Sequence, residues 1–503
     1  MTAQRPNLLL ITSDQQHWNT LGASNSELQT PHLDRLAREG TTFTRAYCPN
    51  PTCTPTRASM ITGQYPSQHG AWSLGTKLPE SVRTLGDELQ TAGYRTALVG
   101  KAHFQPLKGT EEFPSLESYP IMQDLDFWSA FDGPFYGFET VRLARNHADE
   151  AHVGQHYALW MERRGCENWR DYYKPPTGNN DRQKHRWLIP EEFHYDNWIA
   201  AETVDLLERY HDAEEPFFLW SSFFDPHPPY LAPDPWHRMY DPRELTIPSV
   251  VPGEHDANPP HFALTQQQRP DFSPWRESGQ GIHGFSSHLH DRRDLAENVA
   301  VYYGMISLMD KYIGVILDKL DKLGLAENTL VLFTSDHGHL FGQHGLTAKG
   351  PFHYEDLVRV PFIARWPKRI PAAAKSDALQ SLVDLAPTFL SAVGAAAPRT
   401  MTGVNQLPLW CGTASSARGH VLVENRHEPT TVHLKTYIDE RYKLTVYYER
   451  DYGELFDLQE DPGEVRNLWS VAEHANLKSE LTRKLLFAEM GKEPLWMPRI
   501  SGA

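Results

Sequence analysis

Cysteine is scarce: Cys48, Cys53, Cys166 and Cys411 are all the chain has in 503 residues. So few exclude a disulfide framework, and their spacing contains no C-x-x-C zinc pattern. Positive charge is also in short supply, 48 Lys and Arg against 64 Asp and Glu, for a net charge of −16. That balance argues against general binding to nucleic acid or to an anionic membrane. It does not exclude a small anionic substrate, because a pocket can be locally basic. Arg142-Leu143-Ala144-Arg145 and Arg182-Gln183-Lys184-His185-Arg186 are runs able to supply such charge. No continuous apolar run approaches the length that spans a bilayer. Met1 to Asn7 has no charged leader feeding a long apolar core. Internal repeats and low-complexity segments are lacking as well. The expectation is a soluble cytoplasmic protein with one large or two unequal domains.

What the chain does have is short apolar runs separated by helical patterns. The runs at 7–12, 96–99, 216–224, 329–334 and 360–364 fit strands buried on both faces of a parallel sheet. Helices are expected from Thr30-Pro31 to a stop at Gly40, over about 81–92, and over about 295–323 before Gly324. Strand alternating with helix predicts an α/β fold, a large mostly parallel sheet between helices. The segments 104–196 and 231–291 are polar, rich in Pro, His and aromatics, and read as long pocket-walling loops. After about residue 395 the pattern changes. Residues 431–438 and 442–448 alternate around Asp439-Glu440-Arg441, and 454–458 follow the turn Asp451-Tyr452-Gly453. A helix near 471–490 completes a smaller antiparallel α+β domain. The expected division is a catalytic domain at 1–395 and a C-terminal domain at 396–503.

Position carries the functional argument. Asp14 lies just past the first run, Lys101 and His103 just past the second. Asp225 and His227 follow the third, Asp336 and His337 the fourth. Open α/β sheets bind ligands outside the carboxyl ends of their strands. Asp14, Asp336, the Gln15 carbonyl and the His337 imidazole form an oxygen-rich set suited to calcium, magnesium or manganese, the imidazole favouring manganese somewhat. Either dipeptide alone would read as a helix or turn cap.

Cys53 opens a probable helix, Cys53-Thr54-Pro55-Thr56-Arg57 and onward, whose amino end is suited to an anion. A thiolate phosphatase needs C-x5-R, but Ser59 stands six residues after Cys53 and Arg57 comes too early. Lys101 and His103, if extended, face one side. His227 is stiffened by the prolines of Asp225-Pro226-His227-Pro228-Pro229, and Lys349 follows the Asp336 loop. Together these basic groups suit an anion clamp. His69, His339 and His344 read as turn or packing residues.

These motifs resemble a type I, formylglycine-dependent sulfatase of the alkaline-phosphatase superfamily, close to the sulfatase and phosphonate monoester hydrolase group. The likeness covers residues 6–15, Cys53-x-Pro55-x-Arg57 continued through Thr62-Gly63 to His69-Gly70, Gly100-Lys101-Ala102-His103 and Pro226-His227. It extends to Ser335-Asp336-His337-Gly338, Arg359-Val360-Pro361, and Glu454-Leu455-Phe456-Asp457-Leu458 before Asp461-Pro462. The resemblance implies that Cys53 is oxidised by a formylglycine-generating maturation enzyme and that its hydrate attacks sulfur to form a sulfate hemiester. It implies one divalent ion, calcium first and manganese as the alternative, held by Asp14, Gln15, Cys53, Asp336 and His337. Lys101, His227 and Lys349 would bind sulfate oxygens, Arg57 would support the hydrate, and His103 would take the proton that releases sulfate. The expected substrate is a small-molecule or carbohydrate sulfate ester.

Gln15 and His337 depart from the Asp and Asn of many sulfatases. That departure keeps phosphonate monoester or phosphodiester hydrolysis as the alternative. A silent sulfate-binding protein is disfavoured by the complete pocket chemistry, and a two-metal phosphatase by the lack of a second ligand set. Homo-oligomer formation stays open, with Leu495-Trp496-Met497-Pro498 as a candidate contact.

Overall fold

Asn7–Ser13 is buried along its whole length and forms β1, the middle of the fold. The structure, a computed structural model, describes residues 5–145, 153–174, 185–276, 281–427 and 431–502. Seven more strands join β1: β2 (Thr41–Phe43), β3 (Arg95–Gly100), β4 (Thr140–Leu143), β5 (Phe217–Ser222), β6 (Thr329–Ser335), β7 (Phe362–Arg365) and β8 (Ala374–Ser376), in the order β8-β2-β7-β6-β1-β5-β3-β4. The contacts of β1 with β5 and β6, and of β3 with β4 and β5, are all parallel. The run at 360–364, expected to be parallel, splits instead. Arg359–Val360 pairs with Ala46–Tyr47, and β7 runs antiparallel to both β6 and β2.

Side-chain alternation along the strands divides the core in two. Leu8, Leu10, Leu98, Phe218, Trp220, Leu330 and Leu332 face one layer; Leu9, Ile11, Ala97, Val99, Leu219, Val331 and Phe333 face the other. The helices that cover them are α1 (Pro31–Glu39), α2 (Cys53–Thr62), α3 (Leu85–Thr91), α4 (Tyr195–Asp212), α5 (Arg292–Lys322) and α6 (Leu385–Ala392). The first layer packs on α2, α3 and α6 and the second on α1, α4 and α5. Both faces are therefore sealed, which is why the strand sequences are almost continuously apolar. By length and composition α5 could cross a membrane, although no continuous apolar run is long enough; 89% of its most apolar window is buried within the protein. The long segments contain short helices such as Leu125–Ala130 and Gln155–Arg163. The basic run from Arg182 to Lys184 lies outside the described residues.

A second sheet of four antiparallel strands, β9 (Val421–His427), β10 (Val432–Ile438), β11 (Tyr442–Tyr447) and β12 (Gly453–Asp457), is backed by α7 (Ala475–Gly491). Its first strand was not anticipated from the sequence. It touches the segment leading into α2: the Glu424 N–H donates to the Pro49 carbonyl at 2.7 Å, and Asn50 Nδ2 donates to the Glu424 carbonyl at 2.6 Å. An ionic knot also ties the second sheet to the short strand Ala46–Tyr47. Buried Lys443 of β11 binds Glu464 and lies 3.3 Å from Glu355, which accepts from Tyr47 OH at 2.9 Å.

Lys443→Met would leave Glu355 and Glu464 together without their buried cation, with Arg359 3.5 Å from Glu355, and we expect a loss of about 3–5 kcal/mol. A denaturation midpoint equal to that of the parent protein would contradict this assignment.

Candidate active site

Sheet register brings the site residues to one level. Ser13 pairs with Ser335, so Asp14 and Asp336 leave β1 and β6 side by side. Ser222 pairs with both Thr12 and Gly100, which sets Lys101 next to them. The chain turns sharply there: Gly100 has φ +103°, and a Cβ on it would lie 2.0 Å from the Ser222 carbonyl oxygen. Only glycine fits such a position. Lys101 and His103 do not share an extended face as expected, because His103 is itself left-handed at φ +58°.

The helix α2 delivers Cys53 as its first residue, after a turn organised by Asn50. Asn50 Oδ1 accepts from the Thr52 N–H at 2.9 Å, and Thr56 Oγ1 donates to the Asn50 carbonyl at 2.6 Å. One turn into the helix, Arg57 is fully buried. Its Nε donates to Asp336 Oδ2 at 2.9 Å, and its Nη1 donates to Ser222 Oγ at 2.8 Å and the Lys101 carbonyl at 2.9 Å. The guanidinium therefore ties α2 to the ends of β3, β5 and β6.

Around Cys53 Sγ lie His337 Nε2 at 3.2 Å, Lys349 Nζ at 3.1 Å and Asp14 Oδ1 at 3.6 Å. Lys349 Nζ also reaches His227 Nε2 at 3.2 Å. The Nδ1 atoms of His227 and His337 lie 2.6 Å and 3.0 Å from the carbonyls of Pro228 and Gly338. A carbonyl only accepts, so each Nδ1 carries a proton, and the neutral tautomer this selects would present the Nε2 lone pair to the site. Lys101 Nζ donates to Asp14 Oδ2.

Burial works against every charge here. For Asp14 it is overcome by Lys101 first, with Arg57 and Lys349, which hold the carboxyl well below its usual range. For Lys101 burial prevails over Asp14 and Cys53, and the ammonium pKa falls. Burial and Asp14 raise the Cys53 thiol, yet Lys101 and Lys349 offset them and the net direction is down. Burial first, then Arg145, Lys101, Arg57 and Lys349, holds His103 well below the usual imidazole range, so it is a neutral base.

All ten residues singled out from the sequence come to this one place. Several that matter to it were not singled out. His339, expected to be a packing residue, receives Gln15 Nε2 at 2.6 Å on its Nδ1, while its Nε2 lies 2.7 Å from Tyr230 OH. Gln15 is left-handed at φ +62°. His344 does pack, stacking on Tyr354 with ring centroids 3.6 Å apart, and His69 Nε2 meets Ser59 Oγ at 3.0 Å beneath α2. His283, open to solvent, stands near Lys349, His427 and His337, whose positive charge disfavours protonation of its ring. A histidine in a long, unpatterned loop carries no spacing signal that would have marked it.

The donor set suits a hard divalent cation. Ligand atoms of Asp14, Cys53, Asp336 and His337 all lie within 4.8 Å of one another. Gln15 Oε1 is buried beside them in sequence and has no hydrogen-bond partner, which an ion would supply.

With this geometry the comparisons agree. The sulfatase family model matches residues 6–395, and the model for the C-terminal part of N-sulphoglucosamine sulphohydrolase matches residues 342–490. The chain belongs to the sulfatase family and is a sulfuric ester hydrolase. It is 29% identical over 491 residues to an uncharacterised sulfatase of Escherichia coli K12, covering 96% of this chain and 87% of that protein. To an arylsulfatase of Clostridium perfringens it is 28% identical over 499 residues, covering 97% and 95%. Among solved structures, the phosphonate monoester hydrolase of Agrobacterium radiobacter superposes with a TM-score of 0.78 at 25% identity, over 97% of this chain and 96% of that one.

The link from Tyr230 through His339 to the Gln15 amide predicts that His339→Phe weakens divalent-ion binding about 10–100-fold. Titration of the metal-free protein, followed by bound-metal analysis, would measure this; unchanged affinity would remove His339 from the role.

Proposed function

We propose that this protein hydrolyses organic sulfate monoesters, with Cys53 converted to formylglycine and one divalent cation held by Asp14, Gln15, Asp336, His337 and the converted side chain. The supporting observation is the meeting of Cys53 Sγ with Asp14, His337 and Lys349 at a buried point where distant strands end. When bound, the cation supplies Lewis-acid polarisation of a sulfate oxygen and orients the hydroxyl at residue 53. Calcium is the first candidate and manganese the second.

The protein's own groups do the rest. Lys349 and His227, hydrogen-bonded to each other, and Lys101 clamp the sulfate oxygens and offset charge developing on the leaving group. A hydroxyl of the hydrate at residue 53 attacks sulfur, the ester S–O bond breaks with its electron pair on the leaving oxygen, and the proton lost by the attacking hydroxyl reaches that oxygen through the Lys349 ammonium to give the alcohol. His103 then takes the proton of the remaining hydroxyl. The carbonyl reforms and the C–O bond breaks with its electron pair staying on sulfate, after which water restores the hydrate. Arg57 orients Asp336 rather than touching substrate. A maturation enzyme acting on Cys53 is the implied partner, and the substrate is a small-molecule or carbohydrate sulfate.

Phosphonate monoester or phosphodiester hydrolysis is the second reading. Gln15 favours it: where a carboxylate would add negative charge, the amide adds none, so the site is more cationic.

Material produced with a maturation enzyme is expected to show the thiol-to-aldehyde mass change on the peptide containing Cys53. Cys53→Ala is expected to keep fold and metal but to lose turnover. Matched aryl sulfate, phenylphosphonate and diester substrates rank the two readings, and strong phosphonate cleavage beside negligible sulfate cleavage would reverse their order.

A further inference from the structure

His103 is held in an unusual way. Its backbone is left-handed, a conformation that costs a residue with a Cβ about 1–2 kcal/mol, and its ring Nδ1 is buried with no hydrogen-bond partner. Ring direction is therefore governed by the backbone at 103–105 more than by hydrogen bonds to the imidazole. That backbone is gripped by one carboxylate. Glu117 Oε1 accepts from the His103 N–H at 2.7 Å, and Oε2 accepts from the Phe104 and Gln105 N–H groups, each at 2.8 Å. Glu117 is 1% exposed. Arg145 Nη1 closes the arrangement, donating to Glu117 Oε1 at 3.3 Å and to the Gln105 carbonyl at 3.0 Å.

The contact runs in both directions. The Leu116 N–H donates to Gln105 Oε1 at 2.7 Å, and Ser115 Oγ donates to the Pro106 carbonyl at 2.7 Å. A buried carboxylate receiving three consecutive amides is a strong, directional anchor. Glu117 belongs to the long segment after β3 and was not singled out, and Arg145 ends the basic run that begins in β4, offered from the sequence only as a source of pocket charge. The same arginine stands close enough to His103 to be the largest single charge acting on its imidazole, ahead of Lys101, Arg57 and Lys349.

We infer that Glu117, clamped by Arg145, is a positioning residue that sets His103 for the proton transfer releasing sulfate. The inference rests on the proposed role of His103. It makes the second half of the reaction, not substrate binding, depend on a residue that touches neither substrate nor metal.

The test uses matured, metal-loaded enzyme and an aryl sulfate. Glu117→Gln keeps the shape but must present an NH2 either to the N–H donors or to Arg145. We expect kcat to fall on the order of a hundredfold, the effect of misplacing a reacting group by about 1 Å, with KM falling in parallel and kcat/KM little changed, because the sulfated enzyme accumulates. Intact mass after a single turnover should show sulfate retained on residue 53, as it should for His103→Ala. Glu117→Asp, which keeps the charge on a shorter arm, should recover part of the rate, and bound metal and melting midpoint are followed for each variant. Parent-like turnover of Glu117→Gln, or lost rate without retained sulfate while His103→Ala retains it, would overturn the positioning role alone. No retained sulfate in His103→Ala would remove the His103 reading and this inference with it.

Discussion

The buried guanidinium of Arg57 is the constraint on which the site depends. It contacts Asp336, Ser222 and the Lys101 carbonyl, joining a helix that begins at Cys53 to the ends of three strands. A planar fork with fixed donor directions can do this; a lysine could not satisfy three acceptors at those angles. Without it, Asp336 would be a buried carboxylate lacking its cation, and α2 would lose its registration against the sheet.

Charge at the site contrasts with charge on the whole molecule. The chain carries −16, but Arg57, Lys101 and Lys349 converge on Asp14, Asp336 and Cys53. In a water-poor interior such interactions are less screened than at the surface. This is why the Asp14 carboxyl lies well below its usual range and the Cys53 thiol is drawn down despite burial, while His103 and His227 remain neutral imidazoles. A centre of this kind suits a compact anion, and the overall acidity of the protein does not oppose it.

Much of the scaffold was legible because buried parallel strands demand apolar runs. The segments at β1, β3, β5 and β6 and the long α5 stand close to where periodicity puts them. Short strands at or next to the sheet edges did not show: β2, β4 and β8 have two to four buried or half-buried residues each, too few for a pattern. The antiparallel course of β7 was hidden for a different reason, since strand direction leaves no mark on composition. Helix α4 was also passed over, its buried face interrupted by Asp196.

By itself the sequence pointed to the candidate site residues, because each lies just past an apolar run, in the loop that follows one, or in the Cys53 motif. Cys53, Asp14, Gln15, Lys101, His103, His227, Asp336, His337 and Lys349 were all nameable that way. Tertiary structure alone decided what holds them. His339 and Tyr230 against Gln15, Glu117 and Arg145 against His103, and Glu424 against the turn before Cys53 are contacts between segments remote in sequence. Such partners are chosen by where the folded backbone leaves an unmet donor or acceptor, and linear spacing does not record that.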